Sequence, residues 1–156
     1  GATGAWHRAL FDRYGDIGDG CYEDLVLGFR AALEGRIAFI DEVLVRYRTD
    51  VGISALERAP VRPESWRQDR MRALAKNHSV FTQRMRDASH SPHPDRKAIV
   101  SRLQRAIKIN TLRMQFGKQG VLTFIGKNLA WPHLALMVIL SERGKRKRAE
   151  RRAKGT

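Results

Sequence analysis

The chain has 156 residues, 42% of them hydrophobic, and a single cysteine, Cys21. That suffices for one ordinary folded domain and excludes wholesale disorder and an internal disulfide. The formal net charge is +14 and unevenly spread: residues 1–50 hold 6 Lys and Arg against 9 Asp and Glu, residues 51–156 hold 24 against 7.

The two parts therefore read as having different jobs, and a surface as basic as the second attracts polyanions, either nucleic acid or an anionic membrane face. The single thiol suits a reducing cytoplasm. The chain opens at Gly1 with no initiator Met, basic n-region or apolar signal segment, so it reads as a piece of a longer protein.

Taken in order, the first fifty residues suggest α/β structure. From His7 to Tyr14, Leu10, Phe11 and Tyr14 fall at helical spacing, with Gly15 placed to end the helix. A polar, glycine-rich loop runs to Gly20. Helix returns over Glu23 to Glu34, with Leu25, Val26, Phe29 and Leu33 as its apolar face and Gly35 as its exit. Arg36 to Ile40 reads as a short buried strand, and the alternation through Val43, Val45 and Tyr47 as another extended segment.

From Thr49 the texture changes. Gly52, Pro60 and Pro63 mark a linker, placed at 55–65. Trp66 to Ala88 is predicted helical, with Met71, Leu74, Phe81 and Met85 on one face. Ser91-Pro92-His93-Pro94 breaks it, and Asp95 can cap a second helix running to about Phe116, with Val100, Leu103, Ile107 and Met114 along its buried stripe. Gly117 and Gly120 precede the most apolar stretch, Val121 to Leu140. Its Lys127, Asn128, Pro132 and His133 make it a poor spanning helix. The helical extension is placed at 66–141. Residues 142–156, with 8 Lys and Arg against 2 Glu, read as a disordered basic tail.

The run with most chemical content is Tyr22-Glu23-Asp24-Leu25, a carboxylate pair at a loop-to-helix junction. Acidic residues in a first turn are ordinarily caps, contributing roughly 0.3–1 kcal/mol through the helix dipole. The surroundings add a second reading. Gly1-Ala2-Thr3-Gly4-Ala5-Trp6-His7-Arg8 precedes the run, and Gly35-Arg36-Ile37-Ala38-Phe39-Ile40-Asp41-Glu42 with Leu44-Val45-Arg46-Tyr47-Arg48 follows it. In this order they resemble the C-terminal, acceptor-side half of the catalytic domain of family-2 glycosyltransferases, which have a GT-A, Rossmann-like fold. The resemblance covers residues 1–54, about a third of the chain.

That resemblance implies a sugar transfer from a nucleotide-sugar donor to an acceptor hydroxyl, with inversion, where the acceptor is a sugar, a lipid-linked sugar or a polysaccharide. It assigns Asp24 as general base on the acceptor hydroxyl, Glu23 as its neighbour, and Gly4, Ala5, Trp6, Arg8, Tyr47 and Arg48 to the donor and acceptor pocket. Against these stand a core role for Trp6 and a surface role for Arg8. The family pattern Tyr-Arg-x-His ends here in Asp50, either an oxygen ligand to a divalent cation, Mg2+ or Mn2+ in the full-length enzyme, or a solvated aspartate. The Asp-x-Asp metal motif, the nucleotide-binding half and the Gln-x-x-Arg-Trp signature of processive synthases are not in the chain, so the chain alone is expected to be inactive. The resemblance implies a cell-envelope or polysaccharide pathway and a cytoplasmic site at the inner membrane face.

Three accounts compete for residues 60–156: an interfacial apolar segment with a tail on anionic lipid, nucleic-acid binding, and plain solvated helix faces. Nucleic acid ranks last, because no helix-turn-helix, zinc finger or aromatic RNA-binding signature accompanies the charge. A non-enzymatic basic module binding anionic membrane or nucleic acid is the alternative to an enzyme fragment. The five histidines are scattered, and none forms a zinc-like array.

Overall fold

The structure, a computed structural model, describes residues 4–43, 46, 66–119 and 121–154, with side chains as far as residue 151. It contains helices α1 (Ala9–Tyr14), α2 (Glu23–Leu33), α3 (Trp66–His90), α4 (Arg96–Lys118), α5 (Val121–Lys127) and α6 (Pro132–Lys154). There is no strand among the described residues, so the α/β expectation is corrected to helical. Arg36 to Ile40 shows why. A strand is stable only against a neighbour that takes up its backbone groups and covers one face, and none is present among the described residues. The segment is irregular, with Ile37 68%, Phe39 86% and Ile40 59% exposed. Leu44, Val45, Tyr47 and the 55–65 linker lie outside the described residues.

The chain divides into two compact units, residues 1–46 with 76–108 and residues 47–75 with 109–156. In the first, Leu10 and Tyr14 of α1, Ala31 and Leu33 of α2 and Ala88 of α3 form the core, with Phe29, Ile99, Val100 and Leu103 against it. Both glycine stops form as the sequence predicts. Gly35 at φ +62° lets α2 end with its amide on the Ala32 carbonyl at 3.1 Å. Gly15 takes φ +71°, ψ −166° and donates to the Phe11 carbonyl at 2.7 Å. That region is essentially closed to residues with a Cβ, although nothing would touch one there. Gly15→Ala is expected to destabilise the first unit by about 1–3 kcal/mol, read in urea unfolding. A neutral result would show that the loop relaxes freely.

The core also contains an ion pair. Arg30 of α2 is fully buried beside Asp87 of α3, itself 1% exposed. Arg30 Nε and Nη2 donate to the two Asp87 oxygens at 2.8 and 3.2 Å. Nη1 reaches the Gly15 carbonyl at 2.8 Å, and Nη2 the Tyr14 and Asp16 carbonyls at 3.4 Å each. One guanidinium therefore closes the C-terminal end of α1, whose carbonyls have no helical partner. Gln83 completes the set, donating to Asp87 Oδ1 at 2.9 Å and accepting from the Gly18 amide at 3.2 Å.

In the second unit α5 and α6 pack over Leu112, Phe124, Leu134, Ala135, Val138 and Ile139. The Phe116 and Phe124 rings meet edge-on with centroids 5.3 Å apart. Asn128 ends α5 by donating its side-chain amide to the Phe124 carbonyl at 2.8 Å, and Pro132 starts α6 where its missing amide is harmless. Asn110, 2% exposed, interrupts the apolar stripe of α4 and donates to the Leu74 carbonyl at 2.8 Å. α6 continues as helix to Lys154, so residues 142–154, expected as a disordered tail, are helical.

Candidate functional site

The second unit holds the features with binding chemistry. On α6 the buried residues are Leu134, Ala135, Val138, Ile139 and Glu142, one stripe at helical spacing. The opposite face carries Leu136 at 58% exposure and Leu140 at 61%, then exposed Arg143 and Lys147. Their spacing of four, three and four residues places them in one row. That row turns from apolar to cationic between Leu140 and Arg143. α5 also exposes Leu122 and Ile125, and the following turn exposes Leu129 and Trp131. Large apolar side chains exposed together mark a contact surface more than an ordinary solvated face does.

A cleft of about 350 Å³ opens in the same unit. Met71, Leu74, Phe116 and Val121 supply apolar walls, beside Trp66, and five arginines, Arg67, Arg70, Arg113, Arg143 and Arg146, line it against one carboxylate, Glu142. Glu142 is 4% exposed and receives a bidentate pair from Arg70 at 2.8 and 2.7 Å. Lys145 lies 3.4 Å and Arg113 3.5 Å from the same Glu142 oxygen. Burial pushes the Glu142 carboxyl up, but the hydrogen bond and charge of Arg70, joined by Lys145, outweigh it and hold the carboxyl below its ordinary range. Burial and then the Arg70 charge lower Lys145 in turn.

The arginines are not equally satisfied. Arg67 donates to the Gly117 carbonyl at 2.8 Å and Arg146 to Glu150 at 2.9 Å. Arg113 Nε is buried and makes no hydrogen bond, its contact with Glu142 Oε1 being the 3.5 Å ion pair. Arg143 has no carboxylate partner among the described residues. The cleft thus has more donors than its own acceptors use.

No protein family, curated protein or solved structure matches this chain. The resemblance to the acceptor-side half of a family-2 glycosyltransferase is corrected accordingly: the GT-A fold it requires is a Rossmann-like sheet, and the described residues are helical without a strand.

Of the residues singled out for that role, the described ones lie in the first unit. Glu23 and Asp24 are exposed in the first turn of α2. Asp24 Oδ1 accepts from the adjacent Leu25 amide at 2.9 Å, the local bond of a helix start. Trp6 is 36% exposed, neither a core residue nor buried in a pocket, and packs so closely on Gly4 that a Cβ there would lie 2.9 Å from its ring. Ala5 is exposed, and Arg8 pairs loosely with Asp12 at 3.8 Å. No hydrogen bond or ion pair joins Asp24 to Trp6 or Arg8. Tyr47, Arg48 and Asp50 lie outside the described residues. No group of three or more metal-ligating side chains occurs among the described residues.

Sequence reasoning missed Arg30, Arg113 and Glu142. Arg30 stands four residues after Val26 and three before Leu33, in phase with the buried face, and Glu142 stands in phase with Leu134, Val138 and Ile139. A charge in phase with an apolar stripe was the available signal.

Proposed function

We propose that the second unit is a non-enzymatic module that seats on an anionic membrane surface. The observation carrying this reading is the exposed row of α6, apolar at Leu136 and Leu140 and cationic at Arg143 and Lys147. A bilayer interface has the same order over a few ångströms, acyl chains beneath charged headgroups. Trp131, at the start of α6, is the residue type enriched at that boundary. Each cation near an anionic surface contributes about 1 kcal/mol before screening, and each leucine that leaves water roughly 1.5–3 kcal/mol.

The proposed association is peripheral; no helix among the described residues is long and apolar enough to cross a membrane. Cytoplasmic leaflets are the ordinary anionic ones, which suits the cytoplasmic face. Nucleic acid would engage the cations and leave Leu136 and Leu140 without a role.

Co-sedimentation with phosphatidylserine-containing and pure phosphatidylcholine vesicles tests the reading. The chain should pellet with the anionic vesicles. Leu136→Asp with Leu140→Asp, and separately Arg143→Glu with Lys147→Glu, should each weaken binding by about tenfold or more. Equal binding to neutral vesicles, or indifference to the leucine pair, would sink it.

A further inference from the structure

The arginine cleft shares Arg143 with the exposed row of α6 but is otherwise built from different residues. Five cationic side chains line a concave site whose walls are apolar and aromatic, and its one carboxylate is shared by Arg70, Arg113 and Lys145. The buried Arg113 Nε makes no hydrogen bond and has only the 3.5 Å ion pair with Glu142, and Arg143 adds a cation with no carboxylate partner among the described residues. Arginine forks match the oxygens of a phosphate in number and geometry. A phosphate alone, however, would leave Trp66, Met71, Phe116 and Val121 unused.

We infer that this cleft binds a single phosphate-bearing amphiphile, its phosphate held by Arg113 and Arg143 and its first apolar segment against Trp66 and Phe116. The inference rests on the membrane reading only for the source of the ligand, a phospholipid with an exposed phosphate monoester. Arg70 and Glu142 hold the cleft wall in place, while Arg113, whose Nε faces Glu142 in the 3.5 Å ion pair, has a partly exposed side chain on the cleft. The phosphate would accept from the guanidinium of Arg113 and from that of Arg143.

Isothermal titration calorimetry of the full chain with dihexanoyl phosphatidic acid, kept below its micellar concentration, tests this without a bilayer. Saturable binding is expected, weakened about tenfold or more by Arg113→Gln and by Arg143→Gln. Arg105→Gln, exposed on α4 and not lining the cleft, should leave it unchanged. Inorganic phosphate and ATP serve as competitors for the soluble-ligand alternative, and dihexanoyl phosphatidylcholine as the amphiphile without a monoester.

Weaker binding of all three than of the phosphatidic acid supports the proposal. Equal or tighter binding of inorganic phosphate or ATP overturns it, as does binding that neither arginine variant changes. Because Arg143→Gln alters a surface residue, it keeps the test decisive if Arg113→Gln fails to fold. Vesicle binding that depends on Leu136 and Leu140 but accompanies no phosphatidic-acid binding would leave the membrane reading standing and the cleft proposal refuted.

Discussion

Asp87→Ala is expected to destabilise the first unit by about 3–5 kcal/mol, the usual consequence of stranding a buried charge. The substitution leaves the wholly buried Arg30 guanidinium without its counter-charge and removes the acceptor of Gln83. An exposed ion pair would lose only about 0–1 kcal/mol, so the size of the effect distinguishes the two situations. Urea unfolding gives the magnitude, and hydrogen exchange gives its place. Amides of α1, α2 and residues 76–90 should lose protection, with α5 as internal reference. Arg30→Met combined with Asp87→Leu should recover part of the loss, since an apolar pair of similar volume often replaces a buried ion pair at little cost. Recovery should be incomplete. The Tyr14, Gly15 and Asp16 carbonyls lose their shared donor, and an unsatisfied buried group costs about 1–3 kcal/mol. A loss below about 1 kcal/mol for Asp87→Ala would show the pair to be screened as at a surface.

The same pair explains where sequence reading succeeded and where it failed. The glycine stops after Tyr14 and near Leu33, and the two long helices after residue 65, follow from local chemistry, and they form within two residues of their expected ends. The face of α2 does not follow as simply. Leu25, expected on the apolar face, is 42% exposed, and Arg30, not named on that face, is buried. Arg30 can lie inside only because Asp87, fifty-seven residues away, meets it, and no local pattern contains that partner. The failure at Arg36 to Ile40 has the opposite cause. β-branched and aromatic residues favour an extended chain, yet extended chain becomes a strand only beside another. The resemblance rested on the order of several pieces, and one of them, Tyr22-Glu23-Asp24, is also what a helix start looks like. In the structure that piece is the first turn of α2, with an ordinary Asp24-to-amide bond.

The surface features were more legible. The apolar run from Val121 and the cationic run beyond Glu142 are plain in the sequence. What the sequence conceals is their division into faces. Helix α6 sends Val138 and Ile139 inward and Leu136 and Leu140 outward, so its apolar residues divide between core and exposed surface.

Glu142→Gln should lower the stability of the second unit by about 2–3 kcal/mol at neutral pH, less than for a fully buried pair because water partly screens Arg70 and Arg113. The substitution keeps volume and one acceptor oxygen but removes the charge facing Arg70, Arg113 and Lys145. The pH dependence follows from the lowered carboxyl. A carboxyl held lower in the folded state than in the unfolded chain, where it titrates near 4.3, adds stability above that unfolded value. The contribution is lost as pH falls through the folded value. Stability of the natural chain should therefore fall as pH drops below about 4.5, and that part of the fall should vanish in Glu142→Gln. Parallel acid profiles would show that Glu142 contributes no linkage. A second readout separates structure from binding. Removing the one carboxylate of the cleft makes the site more positive, so affinity for dihexanoyl phosphatidic acid should rise while stability falls. A variant that loses both has lost the wall of the cleft, and in that case Arg70 is held there by the Glu142 charge and not by the amide that replaces it.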